Sequence, residues 1–202
     1  MPDSSDFKRA RKSLRRRMRQ RRRGLDVHER IAAQRALIRA IRSLSTFRRA
    51  RRIGVYLAFD GEPNLDALIR AALKSRKQLF VPVLRGLEMY FAPLPAAGST
   101  RHNFFGILEP KNAVRAETLS LDLVLTPLVA FDDLGTRIGV GRGYYDRCFA
   151  FLRHRRTWIR PKLLGIAYGF QQVPRIEKQP WDIPLWGVAT EHGVQVFAPR
   201  AE

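Results

Sequence analysis

The segment that decides the fold runs from Thr126 to Arg147 and reads TPLVAFDDLGTRIGVGRGYYDR. Its first part is almost continuously apolar, which is typical of a strand covered on both faces. An acidic turn follows, and then Gly139, Gly141 and Gly143 stand at alternate positions before a predicted helix. Glycines there let main-chain N–H groups approach an anion, and a helix start adds unpaired donors. The segment therefore predicts a strand, a phosphate-binding turn and a helix.

Strand and helix patterns alternate on both sides of this segment. Strands are predicted at 53–59, 79–84, 88–94, 121–131, 163–168, 187–191 and 194–197, and helices at 13–23, 26–46, 65–73 and 143–154. No internal repeat or linker divides the chain. We therefore expect one domain over residues 1–202, an α/β three-layer sandwich with a mainly parallel sheet. Ligands should bind beyond the carboxyl ends of its strands.

Basic residues are concentrated at the N-terminus. The first 52 of the 202 residues hold 19 Lys and Arg against 4 Asp and Glu, so they carry +15 of the net charge of +20. A basic helical segment is predicted over 8–24. No apolar run is long enough to span a bilayer, and a lone cysteine, Cys148, excludes a disulfide framework. We expect a cytoplasmic protein with no membrane partner.

The glycine turn matches neither of two well-known nucleotide loops. A Walker A loop needs Gly-Lys-Ser/Thr, which is missing, and Tyr144 stands where the dinucleotide fingerprint needs its third glycine. The turn is instead surrounded by Arg137, Arg142 and Arg147, whose guanidinium groups can bind phosphate oxygens through paired hydrogen bonds. A phosphate-bearing ligand is favoured, with a simple tight turn as the alternative.

The chain resembles the 5-formyltetrahydrofolate cyclo-ligase family, also called 5,10-methenyltetrahydrofolate synthetase. The hallmark is a proline-containing strand leading through Ala-Phe-Asp and Gly-x-Arg into a glycine-rich Tyr-Tyr-Asp-Arg turn, which here is Pro127 to Arg147. Further matches occur in the same order over nearly the whole chain, at 56–62, 106–111, 165–168 with Gln171, and 181–185 before Thr190. Matches in sequence order are far more specific than one glycine loop.

The resemblance implies a reaction and two cofactors. The family converts 5-formyltetrahydrofolate to 5,10-methenyltetrahydrofolate with ATP and Mg²⁺, and releases ADP and phosphate. It also implies a fold like that of sugar-phosphate isomerases and CoA-transferases. The expected substrate is a folate with or without a polyglutamate tail, and the expected state is a monomer.

The resemblance places ATP at two parts of the chain. One is the glycine loop with its following turn: Gly139, Val140, Gly141, Arg142, Gly143, Tyr144, Tyr145, Asp146 and Arg147. The other is a Lys-x-x-Leu-Arg signature, which here reads Arg11, Lys12, Ser13, Leu14, Arg15. Arg11 stands where the family usually has lysine, so either Arg11 or Lys12 could contact phosphate, while Arg15 matches directly.

Folate, catalysis and metal binding are assigned to a few residues. The resemblance points to Leu57 and Glu62 for folate, and Tyr144 or Tyr145 could stack on the pterin. Arg147 and Tyr145 are the predicted catalytic residues. Mg²⁺ is assigned to Asp146 or Asp133, a choice that the sequence leaves open. The alternatives are a solvated turn for Glu62, a core position for Leu57, and an ion pair with Arg142 for Asp146.

Two other function classes are consistent with parts of the sequence. A chain of charge +20 will bind nucleic acid nonspecifically at low salt, although no RNA-binding signature sets aromatics among the bases. A sugar-phosphate isomerase or CoA-transferase relative would need no ATP. Catalysis leaves a surplus of bases without a role: Arg16, Arg17, Arg19, Arg21, Arg22 and Arg23.

Overall fold

The computed structural model of the protein describes residues 4–96, 99–155 and 160–197. Its helices are α1 (Ser4–Arg23), α2 (Val27–Ser43), α3 (Ser45–Arg49), α4 (Asp66–Lys74) and α5 (Tyr144–Cys148), with 3-10 turns at Thr118–Ser120, Ala150–His154 and Gly169–Gln171. Its strands are β1 (Arg52–Gly54), β2 (Gln78–Arg85), β3 (Glu88–Pro93), β4 (Thr100–His102), β5 (Leu108–Pro110), β6 (Leu123–Pro127), β7 (Ala130–Phe131), β8 (Arg137–Ile138), β9 (Lys162–Ile166), β10 (Gly187–Thr190) and β11 (Gly193–Val196).

A seven-stranded sheet in the order β11-β10-β9-β6-β1-β2-β3 forms the centre. The strands from β10 to β2 are parallel, and β11 and β3 are antiparallel edges. Successive side chains of a strand point to opposite faces of the sheet. In β6, Leu123 and Leu125 accordingly belong to the apolar cluster on one face and Val124 to the cluster on the other. Helices α2, α3 and α4 cover the first face and α5 packs on the second. The predicted α/β class and mainly parallel sheet are confirmed.

Two predicted strands leave the sheet early. The strand expected at 53–59 is paired only at Arg52–Gly54, and the one expected at 121–131 ends at Pro127. Pro127 has no N–H with which to extend the ladder. The chain beyond Pro127 pairs instead with β8, as the two-residue strand β7 in a separate small sheet. Residues after both strand ends are thereby free to line a cavity.

Two predicted helices are divided. The helix expected at 26–46 ends at Ser43, because Leu44 is extended, and α3 begins at Ser45. The helix expected at 143–154 is an α-helix of only five residues, α5, followed by a 3-10 turn. The helix dipole expected at the glycine turn is correspondingly weak, since five residues align few peptide units.

The helix predicted at 13–23 begins at Ser4 instead, so that α1 contains the basic segment predicted at 8–24 up to Arg23. Among the described residues, no helix has the length and apolarity needed to cross a membrane.

Candidate functional site

A cavity of about 430 Å³ opens where β1 and β6 end. Its wall combines α1, the segment after β1, the hairpin of β4 and β5, and the glycine loop with α5. Leu57 follows the carboxyl end of β1, and Pro127 is the last residue of β6. The cavity therefore lies where an open α/β sheet is expected to bind its ligand.

Two glycines of the loop hold conformations that other residues rarely adopt. Gly141 has φ 102° and Gly143 has φ 63°. A Cβ on Gly141 would also lie 3.3 Å from the guanidinium carbon of Arg15, whose Nε donates to the carbonyl oxygen of Gly139 at 2.9 Å. The loop and α1 are thus packed against each other through Arg15.

The residues of the predicted ATP signature on α1, 11–15, differ in their surroundings. Arg11 and Arg15 line the cavity, whereas Lys12 and Ser13 are exposed and Leu14 packs in an apolar cluster. Arg11 Nη2 donates to Asp182 Oδ2 at 2.8 Å and to the carbonyl oxygen of Glu177 at 2.7 Å. Arg11, and not Lys12, therefore lines the cavity together with the glycine loop.

Two of the arginines that line the cavity, Arg11 and Arg15, repel each other. Burial lowers the pKa of Arg15, and the charge of Arg11 lowers it further, against a smaller opposing effect of Asp182. An anion bound between Arg11 and Arg15 would relieve this repulsion. The charge pattern favours a phosphate ligand at this end of the cavity.

Aromatic side chains form part of the cavity wall. Tyr144 meets Phe105 edge to face at 6.4 Å between ring centroids, and its hydroxyl donates to the carbonyl oxygen of Gly86 at 3.1 Å. The Arg142 guanidinium lies 5.8 Å from the centre of the Phe105 ring. A flat ligand could enter between such rings.

The two acidic residues predicted for metal binding differ in position. Asp146 lines the cavity, while Asp133 is exposed and lies outside its lining. Oδ1 of Asp146 accepts Arg137 Nη2 at 2.8 Å and the N–H of Ile183 at 3.2 Å. The predicted alternative partner, Arg142, contacts Phe105 instead.

Asp146 fits a magnesium ion that is held mainly by phosphates. Its Oδ2 oxygen is the one that a cation would take, because Oδ1 is already hydrogen bonded. No group of three or more His, Cys, Asp or Glu side chains that could hold a metal occurs among the described residues. Mg²⁺ at nucleotide sites commonly uses one or two carboxylates and completes its shell with phosphate and water.

The end of the cavity to which the sequence assigns folate, called the folate end below, contains a buried carboxylate. The Glu62 side chain is 10% exposed and its Oε2 accepts the N–H of Phe59 at 3.2 Å. Burial raises the pKa of Glu62 to about 7, against the opposing charge of Arg22. Leu57, half-buried, lines the same cavity. A buried carboxylate with a raised pKa in a cavity is typical of a ligand site, and Glu62 is not a solvated turn residue.

The two predicted catalytic residues lie on different sides of α5. Tyr145 lines the cavity, and burial raises its pKa, so its hydroxyl stays protonated near neutral pH. Arg147 is exposed and outside the cavity lining. Its Nε and Nη2 donate to the carbonyl oxygen of Leu87, at 3.1 and 2.8 Å, and its guanidinium lies 5.4 Å from the Tyr144 ring.

Several cavity residues had no role assigned from the sequence, namely Arg19, Asn103, Phe105, Glu109, Trp181 and Asp182. Glu109, Trp181 and Asp182 fall within motifs that carry the family resemblance, which is the signal that could have marked them. Glu109 is structural, because its Oε1 accepts the N–H of Leu84 and the amide of Asn103, both at 2.8 Å.

Part of the surplus charge on α1 has partners in the structure. Arg19, Arg22 and Arg23 all pair with the carboxylate of Asp60. Arg21 lies outside this cluster, with its guanidinium 4.4 Å from the centre of the Phe170 ring. Arg16 and Arg17 are exposed. Arg19, Arg22 and Arg23 thus hold the turn at Asp60 to α1.

Comparisons with known proteins agree with this geometry. A family model described as the 5-formyltetrahydrofolate cyclo-ligase family matches residues 7–191. The 5-formyltetrahydrofolate cyclo-ligase of Haemophilus influenzae is 36% identical over 149 residues, covering 70% of this chain and 76% of that protein. That of Escherichia coli K12 is 35% identical over 146 residues, covering 70% and 78%.

A solved structure is similar over almost the whole chain. The NMR structure of Aquifex aeolicus 5,10-methenyltetrahydrofolate synthetase matches with a TM-score of 0.80 and 29% identity, over 95% of each chain. The family model covers well over half of the sequence, including α1, the glycine loop and the segment after β1. The predicted family and enzyme class are therefore confirmed: this chain belongs to the 5-formyltetrahydrofolate cyclo-ligase family.

Proposed function

We propose that this protein converts 5-formyltetrahydrofolate to 5,10-methenyltetrahydrofolate, using ATP and Mg²⁺ and releasing ADP and phosphate. The observation that carries the proposal is the division of one cavity into two chemically different ends. Arg11, Arg15 and the glycine loop form a basic end suited to phosphates. Glu62 and Leu57 form a half-apolar end with one buried carboxylate.

The reaction needs both ends because the formyl oxygen is a poor leaving group. In the first step the formyl oxygen attacks the γ-phosphorus, the bond to ADP breaks, and an iminium phosphate forms. N10 of the same folate then attacks the formyl carbon, its proton is lost, and the bond to phosphate breaks as the ring closes. Catalysis of this kind depends on positioning and on cations that stabilise spreading charge.

The residues of this chain supply that positioning. Arg11, Arg15 and Arg142 would bind the phosphates through charge-assisted hydrogen bonds. Asp146 would hold Mg²⁺ together with the phosphates, and the bound ion would supply positive charge that stabilises the leaving ADP. Glu62, when ionised, would accept N–H groups of the reduced pterin. Tyr145, whose hydroxyl stays protonated, would donate a hydrogen bond, and Tyr144 would pack on the pterin.

One assay tests the proposal. Purified protein is incubated with 5-formyltetrahydrofolate, Mg²⁺ and ATP, and the near-ultraviolet absorbance of the methenyl product is followed. We expect a rise that needs all three components, and that falls at least about 100-fold in Glu62→Ala while circular dichroism is unchanged. The absence of an ATP-dependent rise with the unaltered protein would refute the proposal.

We also propose that residues 1–202 act as one catalytic domain, as a monomer in the cytoplasm, with nucleic acid bound only nonspecifically. The cytoplasm is supported by the free thiol of Cys148. Light scattering at assay concentrations would test the monomer.

A further inference from the structure

One face of α1 reaches both ends of the cavity. Arg15 contacts the glycine loop, and Arg22, seven positions later on the same helix, contacts the turn that carries Glu62. Residues at spacings of three and four lie on one side of a helix, and seven residues span about 10 Å. The helix that carries the predicted phosphate-binding arginines therefore also builds the folate end.

Arg22 is buried, with 0% of its surface exposed. Its Nε donates to the carbonyl oxygen of Asp60 at 2.9 Å, its Nη2 to Asp60 Oδ2 at 3.0 Å, and its Nη1 to the carbonyl oxygen of Leu128 at 3.3 Å. The same Nη1 lies 3.9 Å from Oε1 of Glu62. Only a forked, planar guanidinium can make these contacts together, and a lysine ammonium cannot.

The turn that Arg22 binds has an unfavourable backbone. Asp60 has φ 53° and Gly61 has φ 75°, so two successive residues have a left-handed backbone conformation. This conformation is unfavourable for Asp60, because it carries a Cβ atom that glycine lacks. The Glu62 N–H donates to the carbonyl oxygen of Phe59 at 3.0 Å, and Glu62 Oε2 accepts the Phe59 N–H. Such a conformation costs on the order of 1 kcal/mol and persists where surrounding contacts determine it.

We propose that Arg22 is a positioning residue, whose buried guanidinium holds the Asp60–Glu62 turn so that the Glu62 carboxylate is presented, in its charged form, to the folate end of the cavity. The inference rests on the proposed function, because folate is the ligand that we assign to Glu62. Arg22 itself does not line the cavity. It acts through Glu62.

The charge of Glu62 is set by groups from several elements. Arg22 and Arg19 face it from α1, Asp60 from its own turn, Tyr56 from the segment after β1, and Tyr145 from α5. Arg22 and Arg19 lower the pKa of Glu62, and Asp60 raises it. Loss of Arg22 should therefore raise this pKa, and loss of the Asp60 charge should lower it.

The test measures kcat/KM for 5-formyltetrahydrofolate against pH in the full-length protein. In the unaltered protein we expect the rate to fall as the pH drops through about 7, the value to which burial raises the pKa of Glu62. In Arg22→Met the midpoint should move up by about 1 pH unit. The KM for folate should rise at least about tenfold, while the KM for ATP changes less than about twofold.

Two conservative variants keep the test decisive if Arg22→Met does not fold. Arg22→Lys retains the charge, so its midpoint should stay within about 0.3 pH unit of the unaltered protein although its folate KM rises. Asp60→Asn should move the midpoint the other way, to lower pH. Arg21→Met is the matched control, since it removes the neighbouring charge of α1 at a position that contacts Phe170. Its midpoint and folate KM should not change.

A folded Arg22→Met protein with an unchanged midpoint and an unchanged folate KM would overturn the inference. So would equal losses at every pH in Arg22→Met and Arg22→Lys, which a purely structural role would produce. These outcomes presuppose that the unaltered protein forms product with ATP, and its failure to do so would instead refute the proposed function.

Discussion

Arg137 and Asp146 form an ion pair of 2.8 Å that joins β8 to α5 on either side of the glycine loop. The Arg137 side chain is 5% exposed and also donates to the carbonyl oxygen of Ile183. The same oxygen of Asp146 accepts the N–H of Ile183. Arg137, Asp146 and Ile183 are therefore bonded to one another, and they hold together the two ends of the glycine loop.

Arg137→Met should destabilise the protein. Removing a buried cation leaves Asp146 and the Ile183 carbonyl without their partner, which costs about 3–5 kcal/mol for a buried pair. Urea unfolding measures the loss. Arg160→Met is the control, because Arg160 pairs with Asp122 at 3.3 Å with 61% of its side chain exposed, and we expect less than about 1 kcal/mol there. Equal effects in both variants would contradict the structural role of Arg137.

This pair also shows where the sequence is insufficient. Arg142 and Asp146 are four positions apart, the spacing of neighbours on a helix, so the sequence favours them as partners. The structure begins α5 only at Tyr144, after Gly143 in a left-handed conformation, so Arg142 lies outside the helix. The hairpin of β7 and β8 then brings Arg137 to Asp146. The residue at which α5 begins therefore determines the partner of Asp146, and the spacing of Arg142 and Asp146 does not predict that residue.

The fold and the place of the cavity were more predictable. Apolar runs such as Leu121–Phe131 indicate buried parallel strands, and a parallel sheet fixes the edge at which ligands bind. Partners that are distant in sequence carry no such pattern. Arg22 and Asp60 are separated by 38 positions, and no periodicity relates them. The role of the surplus arginines therefore becomes visible only in three dimensions.

Magnesium dependence should distinguish the two candidate carboxylates. Asp146→Asn should raise the Mg²⁺ concentration for half-maximal rate at least about tenfold, because Asp146 lines the cavity and Oδ2 is the oxygen that remains for a cation once Oδ1 has accepted Arg137 and Ile183. Asp133→Asn should change it less than about twofold, since Asp133 is exposed. An equal rise in the required Mg²⁺ concentration in both variants would contradict the assignment of Asp146 to Mg²⁺. Circular dichroism verifies that each variant is folded.

Replacing Glu62 by glutamine should stabilise the protein at alkaline pH. The pKa of Glu62 is raised from 4.5 to about 7, so the folded protein binds more protons than the unfolded chain between these values. Folding stability therefore falls as the pH rises through this window, and Glu62→Gln removes the loss. We expect a gain of about 2–3 kcal/mol at pH 8 and below about 1 kcal/mol at pH 5.

Urea unfolding at the two pH values measures the effect. Glu88→Gln is the control, because Glu88 is exposed at the start of β3 and should change stability by less than about 0.5 kcal/mol. A Glu62→Gln protein that is no more stable at pH 8 than at pH 5, relative to the unaltered protein, would contradict the raised pKa.

Arg147 should matter for turnover more than for stability. Its guanidinium is exposed and bonds only one carbonyl oxygen, that of Leu87, among the hydrogen bonds described for it. Arg147→Ala should therefore cost less than about 1 kcal/mol in unfolding free energy. If Arg147 contacts ATP, as the family resemblance implies, kcat/KM for ATP should fall at least about 100-fold in Arg147→Ala. A loss of stability without a loss of kcat/KM would indicate that Arg147 serves only to bind the turn between β2 and β3 at Leu87.

The glycine loop offers a comparison between two of its own positions. Gly141 has φ 102°, and a Cβ there would lie 3.3 Å from the Arg15 guanidinium, so Gly141→Ala is strained and displaces a cavity arginine. A Cβ on Gly139 would meet nothing within 4 Å. We expect Gly141→Ala to cost about 1–3 kcal/mol and to raise the KM for ATP at least about tenfold. Gly139→Ala should cost less than about 1 kcal/mol. Urea unfolding and ATP titration measure the pair, and equal costs at the two positions would show that backbone conformation does not limit this loop.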